Sequence, residues 1–324
     1  MTIRPFDWRD LILLRRIRNR GICLDSRLMY TRGISALKYT PLGTRFRGIN
    51  TCTLVSRAES SSELSAVGQF AIPNDNLPAR LVFISPRGFM SRNEGTHLLE
   101  VIIRMAGERG APTLIAEIDE HDPDFDGLHT AGFAIYSRQH IFRLERVVEG
   151  IKTPLEEAWR PAIDRDYIAI QNLYTNLVPA LVQQVEPPPS RYGRGLVYWS
   201  QGELLGFMDV EKGPRGTWVQ PYFHPASELG DALLMGAILS LSPSPKRPLY
   251  ACIRSYQGGL GTSLSQLGFE TCSSQAVMVK RIAAPIRRQV RSEIPTLNGT
   301  QPEPSAPFVN TVHHASTSKR TNSL

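Results

Sequence analysis

Gly95-Thr96-His97-Leu98-Leu99-Glu100-Val101-Ile102-Ile103, followed by Thr113-Leu114-Ile115-Ala116-Glu117-Ile118, reads as an amphipathic helix and then a short apolar strand. The pattern returns as Gly230, Leu233, Leu234, Ile238, Leu249, Ala251 and Ile253, at a constant offset of 135, with 7 of 24 positions identical. Gly132-Phe133 returns as Gly268-Phe269 at an offset of 136, and Arg4-Pro5 with Arg9-Asp10 returns as Arg160-Pro161 with Arg165-Asp166 at 156. Solenoid repeats have periods of about 20–50 residues. This spacing therefore marks a duplicated domain, and 324 residues suffice for two domains that each bury a core.

Working outward, Thr2–Pro5 reads as a strand, and Asp7 or Asp10 caps a helix over Leu11–Asn19. Residues 20–50 read as irregular, with room for one more helical turn. Three strands follow, Thr51–Arg57, Leu64–Ala71 and Ala79–Ser85, joined by Ser60-Ser61-Ser62 and by Pro73-Asn74-Asp75-Asn76, which is turn chemistry. After the quoted helix and strand, a second helix, Gly132-Phe133 and a strand over Ile135–Leu144 close the first copy. The second copy has the same order. Its meander is Gly195–Ser200, Leu204–Lys212 and Thr217–Phe223, with turns at Gln201-Gly202-Glu203 and Gly213-Pro214-Arg215-Gly216. Then come the helix Gly230–Leu241, the strand Leu249–Ile253, the helix Gly258–Leu267 and the strand Glu270–Ile282. The boundaries are 1–148 for the N-terminal domain, 149–158 for a linker, 159–282 for the C-terminal domain, and 283–324 for a basic tail. The tail is rich in Ser, Thr, Pro, Asn and Arg, lacks apolar periodicity and is expected to be disordered.

Net charge is +7. Arg15-Arg16 through Arg20 opposes Leu13, Leu14 and Ile17, as on a solvated helix face. The basic residues do not alternate with aromatic ones in the tail, so no stacking platform for nucleic acid is visible. A handful of charges gives only salt-sensitive, non-specific binding, and nucleic acid is not an expected partner. Cys23, Cys52, Cys252 and Cys272 have no CxxC spacing and no accompanying His cluster, so no metal is expected. Their scatter suits a reducing compartment. No signal peptide and no run of 18 apolar residues is present, so the expected location is the cytoplasm, with no membrane contact.

The order strand–helix, three-strand meander, helix, strand, helix, strand resembles the GNAT superfamily of N-acetyltransferases, seen twice. Ile3-Arg4-Pro5 with Asp10 is similar to that family's opening; Gln201-Gly202-Glu203-Leu204-Leu205-Gly206-Phe207 to its second hairpin; Phe223-His224-Pro225 to the end of its fourth strand. Ala131-Gly132-Phe133 and Leu267-Gly268-Phe269-Glu270 are similar to the turn into its sixth strand. The resemblance implies an α/β (α+β) fold of two tandem acyl-CoA N-acyltransferase (GNAT-like) domains. Each would be a mixed, mostly antiparallel sheet flanked by helices.

In that family the loop Arg/Gln-x-x-Gly-x-Gly/Ala opens a helix whose first-turn N–H groups bind the pyrophosphate of acetyl-CoA. The fourth and fifth strands splay apart, and the pantetheine arm enters between them like an extra strand. The first copy has Arg92, Gly95 and Thr96 there, but His97 replaces the last small residue. The second has Ser227, Gly230 and Ala232, with Phe223 ending the preceding strand. Glu94 and Asp231 carry the wrong charge for phosphate. The alternative for both glycines is a helix start that packs closely on the sheet. The family's thiolate-protonating Tyr is replaced by Leu128 and Leu264, which leaves Tyr256 as the candidate acid. Candidate bases are Glu117, a carboxylate in an apolar strand, and His224. The resemblance implies acetyl-CoA as co-substrate and transfer of an acetyl group to a primary amine of a small molecule or peptide. A non-catalytic, degenerate pair acting as a binding or regulatory module is the alternative. A monomer is expected.

Overall fold

Each half opens with the same ion pair, which accounts for the repeated Arg-Pro and Asp. In the computed structural model of the chain, residues 2–17, 19–33, 49–57, 65–73, 77–146, 158–189, 195–224, 230–241 and 243–282 are described. Strand β1 (Thr2–Pro5) runs into a 3-10 turn at Trp8–Asp10 and helix α1 (Leu11–Ile17). Arg4 Nη2 donates to Asp10 Oδ1 at 2.8 Å, and the Asp7 N–H donates to Asp10 Oδ2 at 2.9 Å. In the second half β8 (Trp159–Pro161) leads through a 3-10 turn to α5 (Tyr167–Leu177). There Arg160 makes two bonds of 2.7 Å to the Asp166 carboxylate, which also accepts from the Ile163 N–H at 2.9 Å.

The first half continues with β2 (Ile22–Cys23), α2 (Ser26–Arg32), β3 (Ile49–Arg57), β4 (Ala66–Pro73) and β5 (Ala79–Ser85). It ends with α3 (Asn93–Glu108), β6 (Thr113–Ile118), α4 (Phe125–Thr130) and β7 (Ala134–Leu144). The second half adds α6 (Ala180–Gln183), β9 (Gly195–Ser200), β10 (Glu203–Lys212), β11 (Thr217–Phe223), α7 (Gly230–Leu241), β12 (Leu249–Arg254), α8 (Leu260–Gln266) and β13 (Glu270–Arg281). The element order is the one that the resemblance implies, in both halves.

Two stretches differ from the sequence reading. Residues 20–50 are not merely loop: they hold β2 and α2, and Asp25 caps α2 by accepting from the Leu28 N–H at 3.0 Å. The last helix begins at Leu260 rather than Gly258, because Gly259 has φ +93°, outside the helical region. The linker residues 149–157, the tail 283–324, the turns at 60–62 and 74–76, and loop residues 34–48 and 190–194 lie outside the described residues.

All strands join one mixed sheet in the order β1-β3-β4-β5-β6-β13-β7-β12-β11-β10-β9-β8, with β2 paired to β5. The pairs β5–β6 and β11–β12 are parallel and the others antiparallel. The two halves exchange their last strands. β13 of the second half lies between β6 and β7 of the first, and β7 of the first lies between β13 and β12 of the second. The described residues of both halves accordingly fall in one compact unit within Met1–Pro285.

On one face, Leu98, Leu99 and Ile102 of α3 pack on Leu114, Ala116 and Ile118 of β6, and also on Ala276 and Met278 of the exchanged β13. Leu233, Leu234 and Ile238 of α7 pack in the same way on Leu249, Ala251 and Ile253. The other face carries α1 and α2 from the first half and α5 and α6 from the second. Helix α2 lies on β10 and β11 of the second half. Its Tyr30 ring stands 6.2 Å from Trp218 and 4.5 Å from Tyr250. The Arg215 N–H donates to the Thr31 carbonyl at the end of α2 at 3.0 Å. A Cβ on Gly213 would meet that carbonyl oxygen at 2.2 Å, so the turn admits only glycine at this contact.

Candidate active site

The parallel strands splay in both halves, and the two splays are filled differently. In the first half β5 and β6 pair only at Ala79–Leu114 and Arg80–Ile115. Beyond that point the chain's own β2 occupies the gap. Ile22 and Cys23 pair with Ile84 and Phe83 of β5. The next residue bridges both walls: the Leu24 N–H donates to the Val82 carbonyl, and the Glu117 N–H donates to the Leu24 carbonyl, each at 2.9 Å. Residues 22–24 thus take the place that the resemblance gives to a pantetheine arm.

Glu117, the candidate base of the first half, is 3% exposed and holds this segment in place. Its Oε2 accepts from the Ser26 N–H at 2.8 Å, and its Oε1 accepts from Arg80 Nη2. Burial pushes its carboxyl up, but Arg80, Arg254 and the Ser26 bonds outweigh it and hold the group below the usual carboxylate range. Arg80 is shared with Asp25 at 2.8 Å, so one ion-pair cluster fixes both β2 and the start of α2.

The loop into α3 is also self-filled. Asp124, at the start of α4 and 0% exposed, accepts from the Gly88 N–H at 2.6 Å and the Met90 N–H at 2.7 Å. Burial raises its carboxyl pKa despite those bonds. A Cβ on Gly95 would lie 2.0 Å from the Phe89 carbonyl oxygen, so Gly95 serves the close approach of this loop to the helix. Arg92 is the exposed residue preceding α3 and makes no side-chain capping bond; Thr96 is half-buried and His97 exposed.

Among the described residues the second half has no such strand. β11 and β12 pair from Thr217–Leu249 to Val219–Ala251 and then diverge. The gap is crossed by one side chain. Gln257 Oε1 accepts from the Arg254 N–H at 2.9 Å, and Gln257 Nε2 donates to the Pro221 carbonyl. A Gln carboxamide has the donor and acceptor of a peptide unit, so it satisfies the two strands as Leu24 does in the first half. At an offset of 136, Leu260 stands where the first half has Asp124. Cys252 stands at the position of Glu117; burial pushes its thiol up to about 12, and its Sγ donates to Gln139 Oε1 at 3.4 Å.

The remaining second-half candidates line the same end of β11 and β12. Phe223 ends β11 and meets Trp159 edge-on at 6.2 Å. The His224 N–H donates to the Leu205 carbonyl at 2.9 Å. Tyr256 lies in the turn before α8, half-buried against Tyr174 and Tyr222, rather than in the helix. Burial pushes its hydroxyl well up, which keeps it protonated. Gly230 begins α7, and Ala232 is half-buried in its first turn. Ser227 lies outside the described residues. Leu128 and Leu264, where the family has its Tyr, are fully buried in the two cores.

Sequence reasoning did not single out Leu24, Asp124, Gln257, Gln220 or Arg254. Their roles depend on which strands come together, and the only local signal was the Asp25 cap ahead of Ser26. Two cavities of about 430 and 470 Å³ lie at the other end of β11 and β12, beside Lys212, Lys246, Arg247 and Arg215. Among the described residues no His, Cys, Asp or Glu group is arranged to hold a metal.

No family model matches the chain, and no curated protein matches it by sequence. Solved structures similar to it include a tandem GNAT protein from the clavulanic acid biosynthesis pathway. That protein is 16% identical over 73% of this chain and 84% of its own, with a TM-score of 0.44. A GCN5-related N-acetyltransferase from Sphaerobacter thermophilus is 12% identical over 71% and 80%, with a TM-score of 0.49. A GNAT-family acetyltransferase from Colwellia psychrerythraea is 11% identical over 87% and 100%, with a TM-score of 0.42.

Proposed function

We propose that the chain is an acetyl-CoA-dependent N-acyltransferase that works from its second half, while the first half is a closed copy that completes the sheet. The observation that supports this reading is the contrast between the splays. One is crossed by the chain's own backbone and backed by a buried ion-pair cluster. The other is crossed by one side chain that can turn aside. The Arg254 N–H and the Pro221 carbonyl, released by Gln257, offer a donor and an acceptor to the amide-bearing arm of acetyl-CoA. Leu260 stands in place of Asp124, so the carboxylate that takes up the Gly88 and Met90 N–H groups in the first half has no counterpart at that position.

Acetyl-CoA supplies the activated acyl group. In this reading the start of α7, with Gly230 and Ala232, faces its pyrophosphate, with Ser227 three residues earlier in the sequence. The backbone end of β11 at Phe223 polarises the thioester carbonyl. The neutral amine nitrogen of the acceptor attacks the carbonyl carbon, a C–N bond forms, and the C–S bond breaks with its electron pair leaving on sulfur. His224 takes the proton that the amine loses, through water. Tyr256, kept neutral by burial, gives a proton to the departing thiolate.

The second reading, a non-catalytic pair kept as a binding or regulatory module, is favoured by Gln257 itself, which bridges the second splay. Release of coenzyme A thiol from acetyl-CoA across a panel of primary amines separates the two. Turnover abolished by Tyr256→Phe supports the transferase. Binding of acetyl-CoA with no thiol release by any amine supports the module.

A further inference from the structure

Among the described residues, Gln220 on β11 and Arg254 on β12 present buried donors that have no acceptor. Alternation along β11 places Gln220 on the same face as Trp218 and Tyr222, away from α7 and α8. On β12, Leu249, Ala251 and Ile253 point to α7, which leaves Cys252 and Arg254 on that same opposite face. Gln220 is 5% exposed and Arg254 4%. Gln220 Nε2 and Arg254 Nε and Nη1 make no hydrogen bond among the described residues. Arg254 uses Nη2 alone, toward Glu186 Oε1 at 2.6 Å, and Glu186 also accepts from the Tyr136 hydroxyl. Gln220 directly follows the last paired position, Val219–Ala251, and Arg254 lies three residues beyond it at the end of β12, so both belong to the splayed parts of the two strands.

A buried donor without an acceptor is costly, and an arginine cannot shed its charge to escape. Such a set is explained by a ligand that brings oxygen acceptors. The charges nearby decide which kind. The cations here are Arg254, Arg80, Arg27 and Arg32, and the carboxylates paired with them are Asp25, Glu117, Glu186, Asp209 and Glu211. The cluster already carries one more negative than positive charge. A free carboxylate would add another in a dry site, whereas a neutral carbonyl accepts the same hydrogen bonds without it.

We infer that Gln220 and Arg254 form a subsite for the carbonyl oxygens of an amide-bearing amine, so that the acceptor is a peptide or an amidated amine rather than a free amino acid. This deepens the transferase reading and rests on it for the word acceptor, but the subsite itself can be tested without turnover.

The test compares glycinamide with glycine, and glycylglycinamide with glycylglycine, on the full chain. Affinity is read by thermal shift without acetyl-CoA, and thiol release is measured with it. The amides are expected to bind about tenfold more tightly than their acids, the worth of roughly one hydrogen bond to a charged donor. Arg254→Lys, which keeps the charge beside Glu186 and loses the Nε and Nη1 donors of the guanidinium fork, should erase that preference. Gln220→Met should erase it too, while leaving the free protein at least as stable, because an unpartnered buried amide is removed. Acids binding as tightly as amides overturns the inference, as does a Gln220→Met protein that is destabilised and still prefers amides. Acetyl-CoA binding and turnover without an amide preference would leave the transferase standing and remove the subsite. An amide preference without thiol release would do the reverse.

Discussion

Asp166 and Asp124 are both buried carboxylates near helix starts, and their surroundings move them in opposite directions. At Asp166 the bidentate Arg160 and the Ile163 N–H hold the carboxyl below its usual range. A folded-state pKa below the unfolded value, about 3.9 for Asp, adds stability that is present above that pH and is lost as the pH falls through the folded pKa. Asp166→Asn should therefore cost about 1–3 kcal/mol near neutrality. The loss should shrink in denaturation curves taken at successively lower pH below about 4. A gap that stays constant with pH would contradict the ion-pair account. At Asp124 burial wins over two backbone N–H bonds, so its contribution is largest below the unfolded pKa and falls as the pH rises through the raised one. Carboxyl NMR titration should place the Asp124 midpoint above the Asp166 midpoint; the reverse order would remove Asp124 from its buried cradle.

At the scale of elements, the segment β2–α2 does what neither repeat nor periodicity announced. Its Leu24 and Glu117 amide bonds make it part of the sheet, so native-state hydrogen exchange should protect both amides as strongly as those of β5. Rapid exchange at Leu24 would turn the segment into a movable lid and reopen the first half. Glu117→Ala leaves Ser26 N–H and part of Arg80 without their acceptor and should cost about 3–5 kcal/mol, read by urea denaturation. The long elements were legible because α3 and β6, and their counterparts α7 and β12, carry a full apolar period. β2 is only two residues long, and α2 carries just Leu28, Met29 and Tyr30 as apolar positions, where the equally short α1 carries Leu11, Ile12, Leu13, Leu14 and Ile17. Glu117 was noticed as a carboxylate in an apolar strand, but its partners come from positions 26 and 80. The repeated Arg-Pro and Asp signalled homology between the halves; that it encodes an ion pair is visible only once the 3-10 turn folds the Asp back onto the strand.

For the whole molecule, the exchange of β7 and β13 removes the independence that a duplication suggests. β6 pairs with β13 along Thr113–Ile118, so the first half alone would expose that edge of its sheet. Scanning calorimetry should show one cooperative transition for both halves, and a fragment of residues 1–148 should fail to fold unless the second half is supplied. Two separated transitions would mean that the seam is weak. In the proposed reading the closed half still serves the other, because it supplies β7 as a neighbour to β12, and its α2 covers β10 and β11. In the proposed reading the first half is closed to acetyl-CoA and the second is open. Isothermal titration of acetyl-CoA into the intact chain tests it most directly. A stoichiometry of one per chain, abolished by Ala232→Trp at the start of α7 and kept in Thr96→Trp at the start of α3, is the predicted result. Two sites per chain, no saturable binding, or a single site lost through Thr96→Trp would contradict it.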